Sequence, residues 1–218
     1  MGYYDGNTVT ALWNYAQHFA MSDNFFDTGF GTTVMGHLNI ISGQTHQTYE
    51  SGNIRKTRAS TFVIRNGSVV AKLDSALEDC RSAPVGGQAV ASVQMTGYNV
   101  GDLLNAKGIT WGWFYGDFAA RPGSTSTHAV CSPEYDQHYD PFQYYPSTAN
   151  PHHLEPNSTA MIGHDGDRAN HEYDLDAFWT ALQADALPSV SFVKAPSSHT
   201  GHPQTSAALS EQKFWCTP

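Results

Sequence analysis

Val100-Gly101-Asp102-Leu103-Leu104-Asn105-Ala106-Lys107-Gly108-Ile109-Thr110-Trp111-Gly112-Trp113-Phe114-Tyr115 changes character in its middle. Val100 to Gly108 reads as a short helix stopped by glycine, and Ile109 to Tyr115 as a buried strand. A helix feeding straight into such a strand points to an α/β core. Leu175 to Ala184 reads as a further helix with Asp174 as cap or first-turn acid. Leu187-Pro188 stops it, and Ser189 to Val193 forms another strand. Toward the N-terminus, Thr8 to Ala20 carries Val9, Leu12, Trp13, Ala16 and Phe19 at helical spacing, which predicts an amphipathic helix packed on a sheet with Thr8 as its possible cap. Thr61-Phe62-Val63-Ile64 and Ser68-Val69-Val70-Ala71 flank Arg65-Asn66-Gly67, a hairpin signal. Ala119 to Glu172 is rich in Pro, Gly, Ser, Asn and His and too long for a plain connection, so a loop-dominated insertion over a site is expected.

The 218 residues suffice to bury a sizeable core. Hydrophobic residues make up 40% and charged ones 14%, a globular composition that excludes a disordered chain. The formal net charge of -9 repels a nucleic-acid backbone, so an anionic substrate requires a locally positive site such as a metal. No apolar run is long enough to span a bilayer, and Tyr4, Asp5 and Asn7 interrupt any signal-like stretch at the start. Cys80, Cys131 and Cys216 match no zinc-knuckle spacing. Cys80 and Cys131 either pair, as in an exported protein, or stay as buried thiols.

Phe25-Phe26-Asp27-Thr28-Gly29-Phe30-Gly31-Thr32-Thr33-Val34-Met35-Gly36-His37-Leu38-Asn39-Ile40-Ile41-Ser42-Gly43-Gln44-Thr45 sets two hydroxyls in a glycine-bounded turn before an apolar stretch. Gly36 to Ser42 reads as the helix, ended by Gly43. Unpaired N–H groups and the positive dipole end at such a helix start stabilise an anion beside a hydroxyl. The same pattern also fits an ordinary N-cap.

Met1-Gly2-Tyr3-Tyr4-Asp5 through Gln44, Asp140-Pro141-Phe142-Gln143-Tyr144-Tyr145, and Ser191-Phe192-Val193-Lys194 through Gly201-His202-Pro203 occur in one order. Together they resemble the phosphoesterase family of bacterial phospholipases C and acid phosphatases. The resemblance implies an α/β, alkaline-phosphatase-like sheet-and-helix core with a loop-rich inserted cap. It implies one incomplete domain, with residues 1–45 and 174–218 as core and 46–173 largely insertion with some core strands. It also implies metal-dependent hydrolysis of phosphate esters or phospholipids, and export from the cell.

By that resemblance Thr33 is the nucleophile and a metal ligand, because a threonine hydroxyl needs a Lewis acid to favour its alkoxide. Thr32 stands where the family usually has proline, and Val34-Met35 replace a Thr-Pro pair. His202 is expected to bind a phosphoryl oxygen or protonate the leaving alcohol, with Gly31 and Gly201 lining the substrate site. His138 keeps the first of two consecutive family histidines, and Tyr139 replaces the second. Tyrosine hydrogen-bonds phosphate but does not donate a proton near neutral pH.

The family's remaining metal ligands, an upstream Glu-Asn segment and a downstream Asp/Glu pair, have no counterpart in these residues. The divalent cofactor is therefore expected to lack most of its ligands, and a non-catalytic remnant of the fold is the competing expectation. Pro151-His152-His153 is expected in a surface loop, because adjacent side chains diverge. A weaker third reading, metal binding, requires convergence of His152, His153, His164 or His171.

Overall fold

The computed structural model describes residues 7, 10–22, 24, 26, 31–46, 48–49, 64–65, 68–69, 73–82, 91–119, 121–125 and 127–199. In chain order the elements are α1 (Thr10–His18), α2 (Thr33–Ser42), β1 (Thr48–Tyr49), β2 (Ile64–Arg65), β3 (Ser68–Val69), β4 (Asp74–Ser75) and β5 (Ser92–Met95). They continue with α3 (Val100–Ala106), β6 (Trp111–Tyr115), β7 (Glu172–Asp174), α4 (Leu175–Gln183) and β8 (Val190–Lys194). The architecture is mixed α/β, with small open sheets, helices and loop-rich connections.

The central sheet runs β7-β6-β8, and both pairings are parallel. Tyr115 sits beside Asp174 on one side and Lys194 on the other, so the carboxyl ends of all three strands share one edge. Open α/β sheets bind ligands outside that edge. All five residues of β6 are buried, as the sequence predicts. Its alternating side chains serve two cores: Trp111, Trp113 and Tyr115 join the cluster holding α2, whereas Phe114 joins Tyr173 and α4. Gly112 permits this packing, because a Cβ there would lie 2.8 Å from the Phe114 ring.

Asn99 caps α3, accepting from Gly101 and Asp102 N–H while the Asp102 carboxylate accepts from Asn99 N–H. This reciprocal pair satisfies orphan donors at the helix start. The Trp111 indole then donates to Asn105 Oδ1 at 2.8 Å, fastening α3 to β6. Asp174 caps α4 as expected, accepting from Asp176 N–H. The hairpin strands pair antiparallel as β2 and β3, with Arg65 opposite Ser68.

α2 begins at Thr33, three residues before the Gly36 start read from the sequence, so Thr33 lies in the first helical turn. Gly43 ends it at φ 65°, a left-handed conformation that glycine adopts without strain. Its buried face, Val34, Leu38 and Ile41, follows helical spacing and packs toward α3 and the short 3-10 turn Gln137–Tyr139. Burying each such side chain contributes about 1.5–3 kcal/mol.

α1 forms two residues inside its expected start, but Trp13 and Phe19 remain 45% and 79% exposed. Among the described residues of its apolar stripe, these two are therefore not packed on a sheet. The loop-rich stretch is firmly joined to the core: Phe142, Tyr144 and Tyr145 are fully buried. Tyr144 Oη donates to Leu73 O, and Gln137 Oε1 accepts from Ser75 N–H. Cys80 and Cys131 form a disulfide with Cα atoms 5.5 Å apart, settling the pairing left open by the sequence.

Candidate active site

The packing of α2 on the Gln137–Tyr139 turn creates a pocket of about 270 Å³ lined by Gly31, Thr33, Asp136, His138 and Tyr139, among others. Four residues singled out in the sequence thus meet. Thr33 is exposed on the pocket wall, at the first position of a helix whose N-cap residue, Thr32, makes no side-chain cap. The first-turn N–H groups therefore receive no acceptor from Thr32, which suits an anion beside the Thr33 hydroxyl. Gly201 and His202 lie outside the described residues.

His138 is buried between two carboxylates. Nδ1 donates to Asp136 Oδ1, and Nε2 lies 3.1 Å from Asp74 Oδ1. Asp136 is also the N-cap of the turn, accepting from His138 N–H at 3.0 Å. Burial raises the Asp74 pKa, but hydrogen bonds from His138 and Ser82 outweigh it and hold the carboxyl below the usual range. Both imidazole nitrogens thus face carboxylates, which leaves neither nitrogen turned to a substrate.

Tyr139 carries the other wall. Its ring centre is 4.5 Å from Lys194 Nζ and 5.7 Å from the His37 ring. Lys194 also lies 5.6 Å from the Tyr115 ring centre, so the β8 terminus brings a cation to the carboxyl edge. His37 Nδ1 bonds Thr33 O at 2.9 Å, one helical turn on. Burial lowers the His37 pKa, the Thr33 carbonyl opposes this, and the Lys194 charge reinforces it. Asp136, Asp74, His37 and Lys194 were not singled out in the sequence as site residues. Lys194 closes a quoted family segment, and Asp136 sits two residues before His138, which are the signals that point to them.

A model of the phosphoesterase family matches residues 1–216. The chain belongs to the phosphoesterase family. No curated protein matches it. Membership carries phosphate-ester hydrolysis as its chemistry in general, and no helix among the described residues is long and apolar enough to cross a membrane.

For the divalent ion implied by the resemblance, the Thr33 pocket of this phosphoesterase offers the hydroxyls of Thr32, Thr33 and Tyr139 and a single carboxylate, Asp136, which is already bonded to His138. Hard cations take six or more oxygens, so these residues do not fit one. Elsewhere, ligand atoms of Glu78, Cys80 and His153 lie within 4.8 Å of one another, the one such group among the described residues. It shares no residue with the Thr33 pocket.

His153 departs from its expected surface position. It is 2% exposed, adopts φ 51°, and bonds Phe118 O and Glu78 Oε1 at 2.5 and 3.0 Å. His152 points to Asp79 at 2.8 Å, so the adjacent side chains do diverge. His171 stacks on Trp111 and bonds its carbonyl, and the histidines do not converge.

Glu78, Asp140 and Glu172 are all buried. Burial, followed by the charges of Asp140 and Glu78, raises the Glu172 pKa well above its ordinary 4.5. Burial and the Glu78 charge likewise raise Asp140, which has no donor at full hydrogen-bond geometry. A raised folded-state pKa contributes stability that is present below the unfolded value and lost as pH rises through the folded one. Glu172→Gln, which cannot ionise, is therefore expected to match the wild type near about pH 4 and melt several degrees higher at about pH 8. Thermal melts across that range check it. A less stable variant at the upper pH would mean that the carboxylate is paired.

Proposed function

We propose that this chain hydrolyses phosphate monoesters or phospholipid phosphodiesters by attack of the Thr33 hydroxyl on phosphorus. The observation that carries the reading is the convergence of Thr33, the uncapped start of α2, His138 and Tyr139 around one pocket, with Lys194 Nζ 4.5 Å from the Tyr139 ring centre. Thr33 attacks, and the α2 N–H groups receive the phosphoryl oxygens. Lys194 supplies the positive charge an otherwise acidic chain requires near this point. His138, held between Asp136 and Asp74, acts through position, while proton transfer to the leaving alcohol is assigned to His202 by family resemblance. Tyr139 and Gly31 shape the substrate wall, with Gly201 assigned to it by the same resemblance. We place the protein outside the cytoplasm, a reading supported by the Cys80–Cys131 disulfide.

A second reading is favoured by the oxygen-poor donor set around Thr33: a phosphate-binding module of this fold without turnover. The deciding experiment assays p-nitrophenyl phosphate and p-nitrophenylphosphorylcholine with and without added divalent ions, alongside inorganic phosphate binding by calorimetry. Turnover establishes the enzyme, phosphate binding without turnover the module, and neither sinks both. Lys194→Met is expected to weaken phosphate binding about tenfold or more, the scale of one charge-assisted hydrogen bond. Unchanged binding would remove Lys194 from the site.

A further inference from the structure

Cys80 and Cys131 are joined beside two other good metal donors. Cys80 Sγ lies 4.0 Å from His153 Nδ1, and Glu78 Oε1 lies 3.0 Å from His153 Nε2 and accepts from Cys80 N–H at 2.8 Å. Glu78 and His153 are 2% exposed and Cys80 8%. In the disulfide the sulfurs are weak donors, since metals bind thiolates. Opening the bridge leaves Cys80, Cys131, His153 and Glu78 as two thiolates, an imidazole and a carboxylate within one small volume. We propose that the reduced chain holds a zinc ion at these four residues, so that the same staple exists as a disulfide under oxidising conditions and as a zinc site under reducing ones.

The donor set matches four-coordinate zinc, and thiolates favour it over magnesium or calcium. The surroundings already resemble those of a ligand shell. Tyr135 Oη donates to Glu78 Oε2 at 2.8 Å, leaving Oε1 directed at the cluster. His153 is clamped flat on Phe118, with ring centres 4.1 Å apart, and exchanges one of its two hydrogen bonds for the metal while the other fixes the ring. A cavity of about 340 Å³ lined by His153, Glu155 and Asp174 reaches the cluster from outside, and its carboxylates attract a cation. The chemistry balances: a dithiol reductant passes two electrons and two protons to the bridge and becomes a disulfide itself. Zinc then displaces the two thiol protons. The sulfurs must separate on reduction, a movement within reach of cysteine rotamers.

The test uses purified chain in a Cys216→Ser background, so that the third cysteine contributes no thiol. Zinc binding is measured by competition with a chromophoric chelator before and after reduction by a phosphine, with cobalt(II) spectra reporting tetrahedral thiolate coordination. One tight zinc per reduced chain, none in the oxidised chain, and at least a hundredfold loss in Cys131→Ser and in His153→Gln are expected. Equal binding in the oxidised chain, or full affinity in Cys131→Ser, overturns the site. Should reduction unfold the chain, zinc must restore its near-ultraviolet circular dichroism; failure to do so also overturns it. Thr33→Ala leaves zinc binding unchanged, which separates this outcome from that of the phosphoesterase assay.

Discussion

Thr33→Ala is expected to lower p-nitrophenyl phosphate turnover by at least about three orders of magnitude, the scale of removing a nucleophile that acts as part of a unit. The side chain is exposed, and Thr32 rather than Thr33 occupies the cap position, so stability should stay within about 0.5 kcal/mol of the wild type. Turnover and thermal melts on the same preparation separate chemistry from folding. Thr33→Ser, which keeps the hydroxyl, should restore most of the rate. If Thr33→Ala turns over at the wild-type rate, the α2 pocket is not where the phosphoryl group reacts.

The largest expected loss of stability comes from Glu78→Ala. The carboxylate accepts from Cys80 N–H, from Tyr135 Oη and from the His153 ring, all in the interior. Alanine strands these groups away from water, including His153 Nε2, whose partner Nδ1 stays bonded to Phe118 O. Removing one partner of such a buried pair costs about 3–5 kcal/mol. For a chain of this size that lowers the melting temperature by about 10 °C. Glu78→Gln, which keeps an acceptor, should recover part of it. A melt within about 1 °C of wild type would show that the network adds nothing net, the result expected where desolvation cancels the ion-pair energy.

Local signals were reliable wherever the sequence carried its own reason. Gly43 and Gly108 stop helices, Asp174 opens α4, and β2 pairs with β3, each through a preference expressed within a few residues. The buried β6 was legible from its run of large apolar residues. The α1 stripe misled because periodicity states only that a face is apolar, not that another element covers it; Trp13 and Phe19 remain in solvent. The His152-His153 pair misled differently. Adjacent side chains do diverge, but His153 turns inward at positive φ and finds Glu78, a partner 75 residues away.

The candidate site divides in the same way. Gly31, Thr33, His138 and Tyr139 were found through family motifs, and the fold gathers them at one pocket. His37 was hidden inside a helix pattern and Lys194 at the end of a strand; Asp74 reaches His138 from β4. Lys194 and Asp74 stand on elements other than α2, so their relation to the Thr33 pocket exists only across elements, whereas His37 lies one helical turn from Thr33.

From its residues alone this chain determined the positions of its helices, a buried strand, an α/β class and membership in a family of phosphoesterases, all consequences of short-range preference and ordered motifs. Tertiary structure alone decided that His138 has both nitrogens engaged by aspartates. It also decided that Lys194 stands beside Tyr139, and that Cys80 meets Cys131 next to Glu78 and His153. The physical reason is that hydrogen bonds, charge and covalent pairing act over a few ångströms in space, whereas these partners lie tens of residues apart along the chain.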